Sequence, residues 1–272
     1  MPKTLASAPV PVVDRPDKPR RGIQSVEIGI RLLVELARHL APMPLRDLAR
    51  GAGMSTGKAH PYLVSFLKTG FVMQDASGRY ELGPLALQLG LARLKRLDPV
   101  REAAPLIAEL AETTGQSVAL AVWGNQGPTI VRLEEPVHPM HVNLRIGSVM
   151  ALASTATGRL FAAYLPPKVV EQALSDDAAH RGGESLADVR RLLEPLLAET
   201  RANGLSRSIG QPIAGINAFC APVFDSSGHL VMGITAMGPS ATFDTCWTGV
   251  VAQALRRCAS EVSARLGSMS TN

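Results

Sequence analysis

The chain has 272 residues, 46% of them hydrophobic, and a formal net charge of +5. Its length exceeds the ~250 residues of an ordinary single core, which favours two domains, and no apolar run approaches the ~20 residues that span a bilayer. Residues 1–100 hold 15 Lys/Arg against 8 Asp/Glu while the remainder holds 13 against 15, the asymmetry of a basic nucleic-acid module joined to a near-neutral domain.

In chain order, residues 1–21 come first, with Pro2, Pro9, Pro11, Pro16 and Pro19 and charges at both ends. Their one apolar stretch, 10–13, is far too short for a signal-peptide core, so this reads as a disordered, weakly basic arm of a cytoplasmic protein. Val26, Ile30, Leu33, Val34 and Ala37 then recur at the spacing of one helical face, with Ser25 as the expected N-cap. A shorter helix follows from about Pro44, with Leu45, Leu48, Ala49 and Ala52 on one side. Gly53 breaks it, Met54 fills the turn, and Ser55 or Thr56 caps a third helix that carries Ala59, Leu63, Phe66 and Leu67 inward and stops at Gly70. The pair forms a helix-turn-helix pattern in which small Ala49 and Ala59 permit close crossing. Strands at 71–74 and 79–82 around the turn 75–78 add a wing.

Pro61 falls six residues into the third helix, where a proline removes a hydrogen bond and crowds the preceding turn. The expectation is a bend just before His60, or a late helix start.

These segments together carry a resemblance. Gln24-Ser25-Val26, Leu45-Arg46-Asp47-Leu48-Ala49, Gly53-Met54-Ser55, Gly70-Phe71-Val72 and above all Gly78-Arg79-Tyr80-Glu81-Leu82-Gly83 resemble an IclR-type regulator, and the likeness runs from about residue 22 almost to the C-terminus. It implies a DNA-binding homodimer or dimer of dimers, gated by a small organic ligand. Two positions depart from the family pattern. Ile28 stands where an Arg is common, and His60-Pro61-Tyr62-Leu63 replaces His-Arg-Leu-Leu. The DNA-contact candidates are Arg46, Ser55, Thr56, Lys58, His60, Ser65 and Arg79, with Lys58 and Arg79 assigned to phosphate.

Residues 84–94 read as a helix apolar on two sides, which usually packs against more than one neighbour; the resemblance makes it part of a linker, 84–97, that contributes to dimerisation. Asp98-Pro99 then starts a helix ending at Gly115. Strands follow at 117–123, 129–133 and 141–146. His138 and His141 flank Pro139, with Pro136 before them, which makes an exposed loop rather than a metal site. Helices are expected from Thr155 to Leu165, over 167–174 and over 187–202. A second hairpin, 218–224 and 230–236, turns at 225–228, and a last helix covers 248–266. Hairpins with helices at the ends make an α+β fold, in its order like the GAF-like α/β effector domain of the same family.

The division expected is therefore an arm 1–21, a winged helix-turn-helix domain 22–83, the linker helix and an effector-binding domain 98–268. The segment 147–159, Gly-Ser-Val-Met-Ala-Leu-Ala-Ser-Thr-Ala-Thr-Gly-Arg, resembles the family's effector loop and following helix. Helix N-terminal N–H groups favour a small anion such as a carboxylate. Carried over residue by residue, the ligand-facing candidates are Thr155, Ala156, Ser208, Ile216, Ala218, Thr235 and Met237. Ala218, Thr235 and Met237 replace more polar residues of family members, so an aromatic or branched acid is favoured over the smallest keto acids.

The three cysteines, Cys220, Cys246 and Cys258, are too few and too widely spaced for a disulfide framework or a paired zinc site. Neither metal nor cofactor is expected. No nucleophile–base pair, phosphate-cradling loop or paired carboxylate suggests an enzyme. A ligand sensor that has lost DNA binding is the other alternative, motivated by Ile28 and Pro61.

Overall fold

A computed structural model of the chain describes residues 22–39, 41–136, 144–181 and 185–268, the side chains of 177–181 excepted. The chain divides between Arg96 and Leu97 into two compact units.

In the first unit, α1 (Gln24–Arg38), α2 (Leu45–Gly51) and α3 (Thr56–Thr69) precede the antiparallel hairpin β1 (Val72–Gln74) and β2 (Tyr80–Leu82), followed by α4 (Pro84–Leu94). Met43 adds a third, one-residue rung to this sheet by exchanging both backbone hydrogen bonds with Tyr80. The core comprises Leu32, Leu36, Met43, Leu48, Ala49, Ala52, Ala59, Leu63, Val72 and Tyr80. Gly53, at φ +68°, makes the turn between α2 and α3, and the Ser55 hydroxyl accepts the Lys58 N–H as the N-cap of α3.

Three expectations are corrected here. Ser25 is not a cap: α1 begins at Gln24, because the Ile23 carbonyl already accepts from Val26 and Glu27. Of the expected stripe Val26, Ile30, Leu33, Val34 and Ala37, only Leu33 packs against the core, and the other four are exposed. The buried residues of α1 are Gly29, Leu32, Glu35 and Leu36, since α3 packs closely at Gly29, where a Cβ would lie 3.1 Å from both Tyr62 and Phe66. Periodicity marked a real apolar face, but a glycine on the other side lets the neighbouring helix come nearer. Finally, α3 does not start late: it runs without interruption from Thr56 to Thr69, with Pro61 inside it. Pro61 is exposed, so the carbonyl of Gly57 that loses its helical donor is left on the solvent side, where water can replace the bond.

The second unit holds α5 (Pro99–Thr114), β3 (Ser117–Gly124), β4 (Gly127–Glu134), α6 (Ala156–Tyr164), α7 (Pro167–Arg181), α8 (Leu186–Asn203), β5 (Ser206–Ile209), β6 (Ile216–Phe224), β7 (Leu230–Pro239) and α9 (Val250–Arg265). Its antiparallel sheet has the order β4-β3-β7-β6-β5. Alternation along each strand decides which face a residue serves. Val118, Leu120, Phe219, Ala221, Ile234 and Ala236 join α5 and α9 in one core layer, while Ala119, Ala121 and Met237 meet Phe161 of α6 on the other face. Asp98 caps α5 by accepting from Val100 and Arg101, and α5 ends at Gly115 in the left-handed region. The fold is α+β, a winged helix-turn-helix unit followed by a mixed helix-and-sheet unit.

Differences from the expected elements are local. Strand β5 was not expected; four residues with alternating small polar side chains give little hydrophobic signal. The strand expected at 141–146 is replaced, among its described residues 144–146, by irregular chain and a turn, and the bridging residue is Val149, opposite Thr129. His138 and His141 lie outside the described residues. Helix α7 extends past 174 to Arg181. Helix α4 has no buried residue, and Leu87, Leu89, Leu91 and Leu94 are exposed, so packing on two sides is not met within its own unit. No helix among the described residues is long and apolar enough to cross a membrane.

Candidate functional site

All seven residues expected to contact DNA are exposed. Ser55, Thr56, Lys58, His60 and Ser65 lie at or along α3, Arg46 is on α2, and Arg79 leads into β2. His60 therefore does not pack beneath its helix. No ion pair ties Arg46, Lys58 or Arg79 to another described residue, though the charge of Arg79 acts on nearby Asp75. Two hydroxyls are partly committed: Ser55 Oγ caps α3, and Ser65 Oγ donates to the Pro61 carbonyl at 3.1 Å. The wing tip is fixed by Asp75, whose carboxylate accepts from the N–H of Arg79 and of Ser77 and from the Ser77 hydroxyl. Those bonds, that to Arg79 first, hold its pKa below the usual carboxylate value.

In the second unit the sheet register assembles a cavity. Ser208 on β5 pairs with Ala218 on β6, which pairs with Met237 on β7, so three residues distant in sequence form one row across the sheet. The next row pairs Cys220 with Thr235. Helix α6 starts over these rows, and Thr155 and Ala156 close the top. All seven residues expected to face a ligand (Thr155, Ala156, Ser208, Ile216, Ala218, Thr235 and Met237) line one cavity of about 80 Å³, together with Leu144, Met150, Thr157, Gln211, Pro212 and Ile213. Those last six were not anticipated. Thr157 and Met150 carried a signal in the sequence, since both fall in the 147–159 segment that resembles the family's effector loop and following helix; Leu144, Gln211, Pro212 and Ile213 carried none.

The cavity's hydroxyls are turned to the protein. Thr155 Oγ1 donates to Ala151 O and accepts from Gly158 N, both at 2.8 Å. Ser208 Oγ bonds Gln211 O at 2.5 Å, and Thr157 and Thr235 share a hydrogen bond at 2.8 Å. What these side chains offer a ligand is largely carbon. Among the polar groups left over are the backbone N–H groups of Ala156 and Thr157, the first two residues of α6, which have no acceptor within the helix. Beneath Thr235 lies Cys220, fully buried, its thiol pushed up to about 12 by burial and so neutral near pH 7. Met150 lines both this cavity and an outer cleft of about 740 Å³ that runs past Trp123, Lys168 and Gln172.

Comparison with known proteins places both units. Residues 25–76 match the IclR helix-turn-helix domain, and residues 91–264 match the bacterial transcriptional regulator IclR C-terminal domain. The glycerol operon regulatory protein of Streptomyces coelicolor is 32% identical over 253 residues, 91% of this chain and 98% of that protein. Among solved structures, Pseudomonas aeruginosa HmgR superposes with a TM-score of 0.81 at 36% identity, covering 92% of this chain and all of its own. The Agobacterium tumefaciens repressor BlcR shares the fold, with a TM-score of 0.74 over 91% of this chain and 99% of its own, at 24% identity.

Proposed function

Because this chain belongs to the IclR family of bacterial transcriptional regulators, we propose that it is a ligand-gated one, in which a small organic acid enters the cavity at the start of α6 and changes operator binding by the winged helix-turn-helix. The chain is a transcriptional regulator and not an enzyme, as its relatives are; the effector and its coupling to DNA are the proposal. One observation carries it: segments near residues 155, 208, 216 and 235 converge on a single cavity, with two unbonded helix N-terminal N–H groups at its edge. Such N–H groups favour a carboxylate. The carbon-rich walls suit a branched or aromatic body, and a larger body gains room if Met150, which also lines the outer cleft, swings toward it.

For DNA, the proposed reader is α3, with Ser55, Thr56 and His60 toward the bases and Lys58, Arg46 and Arg79 toward phosphate. An unbroken α3 with these groups exposed favours retained DNA binding over a sensor that has lost it. The exposed Leu87, Leu89, Leu91 and Leu94 of α4 and the exposed Val26, Ile30 and Val34 of α1 support assembly as a homodimer or dimer of dimers, since apolar stripes of this kind are usually covered by a partner.

A thermal-shift screen of the full chain against small carboxylic acids tests the ligand reading. A true effector at ~100 times its dissociation constant adds roughly 2.7 kcal/mol of stability and alters the gel shift of the protein on the DNA flanking its gene. An acid that stabilises without any change in DNA binding would sink the gating.

A further inference from the structure

The cavity has a feature that none of the anticipated ligand-facing residues explains. Arg159, on the first turns of α6, is buried to 7% exposure, and its guanidinium is held only by neutral oxygens. Nε donates to Ala153 O at 2.8 Å, one Nη to Arg207 O at 2.9 Å, and the other Nη to Gln211 Oε1 at 3.4 Å. The acid whose charge reaches it, Glu199, is already paired with Arg207 at 3.1 Å. Two guanidiniums thus share one carboxylate, and an excess positive charge is buried behind the cavity wall. Burial lowers the Arg159 pKa, yet a guanidinium stays protonated in proteins, so the charge cannot be relieved by losing a proton.

Gln211 connects this charge to the cavity it lines. Two donors cannot face one another, so the contact with Arg159 requires the Gln211 amide to turn its Oε1 toward the guanidinium. Its NH2 is left as the free end, polarised by the cation behind it.

We propose that Gln211, oriented by Arg159, is the residue that makes the cavity select an oxyanion over its neutral isostere. The proposal rests on the ligand-sensing reading above and deepens it. An arriving carboxylate accepts from the Gln211 NH2 and from the α6 N–H groups, and it supplies the negative charge that the Arg159–Arg207–Glu199 cluster lacks. A neutral amide of the same shape brings its own NH2 toward donors and offers no charge. Arg159 is a positioning residue in this arrangement: it touches Gln211, not the ligand.

The test uses the full-length protein and four matched pairs: isobutyrate, isovalerate, benzoate and phenylacetate, each with its primary amide. Binding is followed by thermal shift and calorimetry. The expected result is that at least one acid binds the wild type in preference to its amide. Gln211→Glu keeps an acceptor for Arg159, so it folds, but it removes the donor and neutralises the excess charge. It weakens the acid by roughly tenfold or more, as expected for a charge-assisted hydrogen bond, and leaves amide binding within a few-fold. Gln211→Leu, which adds no charge, gives a smaller loss of the acid and carries the test if Gln211→Glu lowers the melting temperature of the free protein. Equal acid binding by wild type and both variants overturns this proposal while leaving the ligand-sensing reading in place. Amides binding as well as acids to the wild type overturns it too. No binding by any of the eight compounds counts against both readings.

Discussion

Gly158 is the described glycine of the second unit that other backbone approaches most closely. A Cβ there would sit 2.1 Å from the Ala151 carbonyl oxygen and 2.5 Å from the Leu152 Cα, and neither backbone atom can move aside as a flexible side-chain tip can. Gly158→Ala is therefore expected to cost at least ~1–3 kcal/mol by overpacking and to displace the 151–155 loop. Thermal melting and acid binding should both suffer; an unchanged melting temperature would show that the loop yields freely. The thiols give a second residue-scale prediction. Cys246 is exposed, with its pKa lowered chiefly by a hydrogen bond from the Thr248 hydroxyl, whereas burial pushes Cys220 and Cys258 up to about 12. Because the thiolate is the nucleophile, brief iodoacetamide treatment of the native protein should label Cys246 first by mass spectrometry, with Cys220 protected until unfolding. Early labelling of Cys220 would contradict its burial.

Among elements, α3 holds a proline inside a helix, as α5 does with Pro105 and α8 with Pro195. It continues through Pro61 because the surrounding unit holds it: Ala59 and Leu63 are buried, Ser55 caps its start and Gly70 closes its end in the left-handed region. Proline still forfeits one backbone hydrogen bond there and crowds the turn before it. Pro61→Ala, at an exposed position, is expected to stabilise the N-terminal unit by about 1–3 kcal/mol, measured by denaturant unfolding. Equal or lower stability would mean that the proline is matched by a contact made elsewhere. The wing shows the opposite relation, with local sequence and structure in agreement. Gly83 comes so close to the Gly70 carbonyl, 2.3 Å from where its Cβ would lie, that only glycine fits where the wing turns into α4.

At the scale of the whole molecule, the basic excess of residues 1–100 and the neutral remainder predict DNA binding that weakens steeply with salt, through release of counterions from phosphate. Lys58 is exposed with no ion pair to a described residue. Lys58→Ala should thus lower affinity for specific and non-specific DNA together and reduce the salt slope by about 1. A change confined to the preferred base at one position would reassign Lys58 to base reading.

The order and kind of most elements, the helix-turn-helix with its wing and the family were legible in the sequence because each has a local cause. Hydrophobic period marked α2 and α5, Asp98 and Ser55 supplied caps, Gly53, Gly70 and Gly115 supplied left-handed turns, and Asp75 and Asp225 set the turns of the β1–β2 and β6–β7 hairpins. Only the tertiary structure decided which face of α1 is buried, since that depends on how near α3 can come at Gly29. It alone brought Ser208, Ala218 and Met237 into one row, because strand register joins residues far apart in the chain. The charge behind the cavity was hidden for the same reason. Arg159 reads in sequence as one more helical arginine, and what sets it apart is burial among neutral oxygens of nearby Ala153 and of the distant segment 207–211, which only the folded chain brings to it.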